Sequence, residues 1–295
     1  MHPKIRAFLH ALLYPALYIF AQMASMLLCL IPGIIQNFGA VAQGALSPDE
    51  AIELALKNMD IQLSLMISLV AIIITVWLMR RRIWKSTSFC ALKTGSGLTL
   101  PLCIMLGLAT NFAILGIMML VDITRYFPGY IEVMEQLTEG PVWMQYLNII
   151  LLAPIAEELI FRGTVIPILT TPAPNQTAKM FSPIAAAIIP AALFGLIHGN
   201  VVQGGYAFIL GILLGLVFIW SGSIWTAIVV HMAFNATSMV LTLVPDYEIF
   251  DKPAFIFAVT LAASLAAGAL MMVIYNRCKK LELERNPKNA ANTGL

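Results

Sequence analysis

Eight separate stretches of this chain are apolar enough to cross a lipid bilayer, and nothing else in the sequence constrains the fold so strongly. A spanning helix needs about 20 apolar residues. The stretches are Ala7–Ile35, Ile61–Met79, Thr99–Val121, Tyr146–Leu169, Phe181–His198, Gln203–Trp220, Ile224–Val244 and Pro253–Tyr275. Inside hydrocarbon each backbone N–H and C=O must be bonded within its own segment, so these stretches fold as helices. Hydrophobic residues make up 60% of the chain and charged ones only 11%, against about 25% charged in soluble domains. Soluble, disordered and nucleic-acid-binding proteins are thereby excluded. The expected fold is all-α: a polytopic membrane protein with about eight transmembrane helices.

The first stretch follows a short basic flank (Lys4, Arg6) and is too long for a cleaved signal peptide, whose apolar region runs to about 15 residues. It reads as a retained helix, overlong for a bilayer and so tilted or broken near Pro32. The fifth and sixth stretches are short and separated by only four residues. Loop charge tests the count, because cytoplasmic loops carry the excess of Lys and Arg. With the N-terminus cytoplasmic, that side holds Lys4, Arg6, Arg80, Arg81, Arg82, Lys85, Lys93, Lys179, Arg277, Lys279, Lys280, Arg285 and Lys288. The opposite side holds only Lys57, Arg125 and Lys252. Eight crossings with both termini cytoplasmic follow, in a multi-pass protein of the cell membrane (the inner or plasma membrane in a bacterium).

Between the spans, Ser47 is placed to cap a short surface helix, with Pro48 at its first position and acidic residues in its first turn. A second amphipathic, acidic helix is expected over Tyr130–Glu139. Either could cover a substrate entrance. Cys29, Cys90, Cys103 and Cys278 lie far apart without CxxC spacing and read as small hydrophobes. Gly211-xxx-Gly215 permits close helix packing, Arg80–Arg82 anchors the topology, and the tail after Arg285 is polar and disordered.

Ionisable groups inside spans are costly and therefore point to function. Apart from His10 near the basic flank, the spans hold five: Glu157, Glu158, Arg162, His198 and His231. Glu158 and Arg162 stand at i, i+4 with the acid first, the favourable order for an ion pair. Glu157 is rotated about 100° from that face and is left free towards the interior. A carboxylate in a poorly hydrated cavity can act as general base towards a water, with His198 beside it holding the water or passing its proton. His231 and Asn235, also i, i+4, supply two donors for a developing oxyanion. The pattern is that of a hydrolase. One Glu and two His (Glu157, His198, His231) would also suit zinc, although there is no HExxH and the histidines lie on separate helices.

Glu157-Glu-Leu-Ile-Phe-Arg162 fits EExxxR, Phe194-Gly-Leu-Ile-His198 fits FxxxH, and His231-Met-Ala-Phe-Asn235 fits HxxxN. In that order on successive membrane helices, the trio resembles the CPBP family, which comprises the CAAX-type prenyl-protein proteases and the bacteriocin-processing or Abi proteins. The resemblance covers about residues 141 to 245. It implies an eight-helix intramembrane endopeptidase in which Glu157 activates water with His198, His231 and Asn235 stabilise the oxyanion, and Glu158, Arg162 and Phe194 support them. It also implies a hydrophobic or lipid-anchored peptide or protein substrate. The family has been described both as metalloprotease and as glutamate protease, so the resemblance leaves zinc open; without it no cofactor is expected. Three regions follow: 1–140, three spans with surface helices; 141–245, a four-helix catalytic core; 246–295, the eighth span and cytoplasmic tail.

Two other readings stand beside this one. The polar cluster could be a structural network in a non-proteolytic membrane immunity or regulatory protein, or belong to a proton-coupled transporter, although no inverted repeat is evident. Helical rise also sets Glu157 ~16 Å below the outer end of its span and His231 ~10 Å above the inner end of its own, with His198 near an outer end. These depths coincide only if the fifth helix starts deeper than Phe181, as an inward dip of Thr171–Pro174 would allow, or if the helices tilt.

Overall fold

The structure is a computed structural model that describes residues 2–83, 99–137, 139–172, 181–243 and 252–285. Cys90, Lys85, Lys93, Lys179, Lys288, Ala173, Pro174, Val244 and the tail beyond Arg285 lie outside the described residues. The described residues fold into helices and connecting turns, without strands. The protein is an all-α polytopic membrane protein.

In chain order the helices are α1 (Pro3–Ala42), α2 (Pro48–Lys57), α3 (Ile61–Ile83), α4 (Thr99–Leu120), α5 (Ile123–Tyr126) and α6 (Gly129–Leu137). A continuous rod, α7 (residues 142–170), is followed by α8 (Pro183–Leu196), α9 (Val201–Ser221), α10 (Ile224–Leu241) and α11 (Pro253–Arg285). Among the described residues α1, α3, α4, α9, α10 and α11 are each long and apolar enough to cross a membrane. The other two expected spans differ from simple spanning helices. α8 has only 14 residues, about 21 Å of rise. α7 is not one α-helix: α-helical pieces at Val142–Tyr146, Ala153–Ile160 and Ile166–Thr170 alternate with π-helical turns at Leu147–Leu152 and Phe161–Val165.

Each π turn is followed one residue later by a proline, Pro154 or Pro167. Proline carries no N–H and crowds the turn before it, and a single wide turn absorbs that mismatch without breaking the rod. α1 corrects another expectation. It runs unbroken through Pro15 and Pro32 to Ala42, well past Ile35. Each proline removes one N–H from a long ladder of bonds, too little to end a helix surrounded by lipid. α11 likewise continues ten residues past Tyr275 to Arg285, so Arg277, Lys279 and Lys280 sit on the helix rather than in a loop.

The surface helix expected after Ser47 forms with a full capping box: Ser47 Oγ accepts from the Glu50 N–H, and the Glu50 carboxylate accepts from the Ser47 N–H at 2.7 Å. Those bonds hold the Glu50 carboxyl below its ordinary range. α6 covers most of the second expected surface helix, and α5 precedes it.

Two apolar clusters organise the packing. One joins α4, α9, α10 and α11 through Leu106, Leu210, Val230, Phe234 and Ile274. The other joins α1, α3, α7 and α8 through Tyr14, Leu69, Phe161, Leu169 and Phe194. α7 sits between them, touching α1, α3, α8, α9 and α10. Small residues set the closest approaches: an added Cβ on Gly215 would meet Ala187 of α8 at 3.2 Å, and one on Gly107 of α4 would run into the Val230 carbonyl of α10. The ionisable residues lie along the seam between the clusters.

Candidate active site

Glu157 and Glu158 lie in the middle piece of α7, both buried. Glu158 Oε1 accepts from Arg162 Nη1 at 2.8 Å, the expected i, i+4 pair, with both side chains fully buried. Two charges out of water cost least when their remaining polar atoms are also bonded. Arg162 Nη2 donates to the Gly211 carbonyl of α9 at 2.8 Å, and the guanidinium lies 5.1 Å from the centre of the Phe194 ring, while Glu158 Oε2 and Arg162 Nε are buried without a hydrogen-bond partner among the described residues. Gly211 makes this possible. A Cβ there would stand 2.9 Å from that of Ala191 and 3.3 Å from Nη2 itself.

His231 Nδ1 lies 2.9 Å from the same Glu158 oxygen. A carboxylate can only accept, so Nδ1 carries the proton and Nε2 faces the other way. There it stands 3.8 Å from Glu157 Oε2. His231 thus bridges the two glutamates, and the four groups form one cluster.

His198 joins differently. The last turn of α8 tightens, and the His198 N–H bonds Gly195 rather than Phe194. The freed Phe194 carbonyl is taken by the imidazole of His198, with Nδ1 at 2.6 Å. A carbonyl also only accepts, so Nε2 of His198 is left as an acceptor. The Phe194 ring meets His198 edge-on at 4.7 Å and His231 edge-on at 5.8 Å, and packs on Phe161 at 5.2 Å. One phenyl ring is therefore the common wall of both imidazoles and the guanidinium.

Asn235 also faces α7, one helical turn beyond His231. In the first π turn the Ala153 N–H reaches back five residues to Asn148, and Pro154 then has no N–H to offer Ile149. The Asn235 amide fills that gap, donating to the Ile149 carbonyl at 2.8 Å. One of its two N–H bonds is spent there. Asn111 of α4 steadies the same stretch of α10, donating to the Phe234 carbonyl at 3.0 Å and to Ser238 at 2.6 Å.

The structure thus brings Glu157, Glu158, Arg162, His231 and Phe194 into one buried cluster. His198 attaches through Phe194 and Asn235 through the π turn. Tyr18 of α1 was not expected: its hydroxyl donates to Glu157 Oε1 at 2.9 Å. The signal was legible as a stripe. The buried positions of α1 are Ala7, Ala11, Tyr14, Pro15, Tyr18 and Ser25, a face of small and hydroxyl-bearing residues in a helix otherwise rich in Leu, Ile and Met. Tyr206 of α9 also interacts electrostatically with Glu157, and it shares a hydrogen bond with Tyr130 of α6. Burial pushes the Tyr130 hydroxyl above its ordinary range.

Among the described residues no three His, Cys, Asp or Glu side chains are grouped to hold a metal ion. The trio that zinc would need, Glu157, His198 and His231, does not form such a group. Each imidazole has its Nδ1 committed to a protein oxygen.

Neither a curated protein nor a solved structure matches the chain. One family model does, that of the Type II CAAX prenyl endopeptidase Rce1-like proteins, over residues 139–237. The matched third of the chain contains EExxxR, FxxxH and HxxxN complete, along with α7, α8, α9 and most of α10. Over this stretch the chain is similar to that family of proteases.

Proposed function

We propose that this protein is a CPBP-type intramembrane endopeptidase that hydrolyses a peptide bond near the membrane surface, using Glu157 as general base. The observation that carries the reading is the bridging of Glu157 and Glu158 by His231, beside a half-buried His198, within a match to a protease family. The chemistry is assigned to residues 141–245. The three spans of 1–140 and the eighth span with its tail flank that core, in a cell membrane crossed eight times with both termini cytoplasmic.

Glu157 takes a proton from a water held against it by His198 Nε2, and the water oxygen attacks the scissile carbonyl carbon. The carbonyl oxygen becomes an oxyanion, met by His231 Nε2–H and by the second amide N–H of Asn235. Glu157 then returns the proton to the leaving nitrogen as the C–N bond breaks, leaving a carboxylic acid and an amine. Charge balance favours this role for His231. Two carboxylates and one guanidinium leave the cluster one charge negative, and a protonated His231 brings it to zero. Glu158 and Arg162 hold the imidazole, and no step is routed through a metal.

A buried site entered from lipid selects hydrophobic or lipid-anchored peptides. α6, tied to Tyr206 through Tyr130, is the element assigned to cover the entrance. The test uses purified protein in detergent with two internally quenched peptides, one ending in a prenylated Cys-aliphatic-aliphatic-X sequence and one hydrophobic without a lipid. The wild type cleaves at least one, and Glu157→Ala, folded by thermal unfolding, cleaves neither. Full activity in Glu157→Ala, or no cleavage by the wild type, overturns the reading.

A further inference from the structure

We propose that Tyr18 of α1 is a positioning residue for the base Glu157, so that the site is completed by a helix outside the family-matched segment. The proposal rests on the role of Glu157 given above. Its geometry stands independently: Tyr18 Oη lies 2.9 Å from Glu157 Oε1, 139 residues away in sequence, with both side chains buried.

Direction matters here. A buried phenol in an apolar layer must spend its O–H on an acceptor. Gln22, one turn further along α1, hydrogen-bonds the same hydroxyl, and the proton goes to Glu157. The Tyr18 ring is buried in the apolar cluster between α1, α3 and α7 that also holds Ala11, Leu69, Phe161 and Val165. Hydroxyl position is therefore fixed by packing, with little left to rotate.

The consequence is a division of labour between the two carboxylate oxygens. Oε1 is occupied by Tyr18, so Oε2, the oxygen turned towards His231, is the one that takes the proton from water. The charged and titratable groups facing Glu157 are Tyr18 from α1, His231 from α10, Tyr206 from α9, and Glu158 and Arg162 from its own rod.

The experiment compares Tyr18→Phe, Tyr14→Phe and Glu157→Ala with the wild type, measuring kcat, KM and melting temperature on the same preparations. Phenylalanine keeps the ring and removes only the O–H. Tyr18→Phe should lose roughly tenfold in kcat with KM within about twofold, at an unchanged melting temperature. Tyr14→Phe, on the same face of α1, should behave as wild type. A Tyr18→Phe enzyme with wild-type kcat, beside an inactive Glu157→Ala, overturns the proposal and leaves the base assignment standing. A reduced rate that comes with a lower melting temperature also overturns it, since packing alone would do that. Activity in Glu157→Ala overturns both.

Discussion

His231 Nδ1 and Glu158 Oε1 lie 2.9 Å apart, on an oxygen already shared with Arg162 at 2.8 Å. This contact turns an intrahelical ion pair into a support for a residue on another helix. It orients the imidazole so that Nε2 points at Glu157, and it ties α10 to α7 at the depth of the chemistry.

Removing only the acid of this pair should be worse than removing both charges. Glu158→Gln leaves the Arg162 guanidinium buried without its counter-ion, a loss of about 3–5 kcal/mol. The double variant Glu158→Gln/Arg162→Met should regain a large part of that stability in detergent thermal unfolding, while staying inactive because His231 has lost its anchor. A double variant less stable than Glu158→Gln would refute this account of the pair.

Asn235 has a structural duty beside the oxyanion role proposed for it. Asn235→Ala leaves the Ile149 carbonyl of the π turn without its donor, at about 1–3 kcal/mol, and removes the proposed oxyanion donor as well. Asn235→Asp keeps the shape but sets a carboxylate against that carbonyl, so its melting temperature should fall further than that of the alanine variant. Equal stability of all three proteins would show that the π turn does not depend on this amide.

Packing far from the chemistry should also reach it. A side chain on Gly107 collides with the Val230 carbonyl, the residue before His231, and would approach Ala233 at 2.7 Å. Gly107→Val should lower stability by about 1–3 kcal/mol and depress cleavage by displacing the stretch of α10 that carries His231. Gly39→Ala in α1 meets nothing within 4 Å and should be neutral or stabilising by under about 1 kcal/mol. Matching melting temperatures for the two variants would contradict the packing argument.

Much of this architecture is written in patterns of one dimension. Apolar runs mark the helices, Ser47 and Glu50 mark a cap, and the spacing of Glu158 and Arg162 marks their pair. Geometry that depends on a neighbouring helix is not so written. Pro154 and Pro167 are visible in the sequence, yet a proline can end a helix, kink it or widen a turn. Here the outcome at Ile149 was settled by an amide on α10, 86 residues away. Tyr18 escaped for a similar reason: a tyrosine in a span is ordinary, and only the fold sets its hydroxyl on a carboxylate. His198 read as part of a spanning helix because hydropathy does not register that α8 stops at Leu196, and it is that stop which frees the Phe194 carbonyl for the imidazole.

The central claim is that Glu157 takes a proton from water during peptide cleavage. The most direct measurement is kcat/KM of Glu157→Gln against wild type on the cleaved peptide, in protein shown to be folded by its melting temperature. The amide keeps the size of the side chain and can still accept from Tyr18, but it cannot serve as a base. A loss of about 100-fold or more is the predicted result, and a rate within about twofold of wild type would contradict the account.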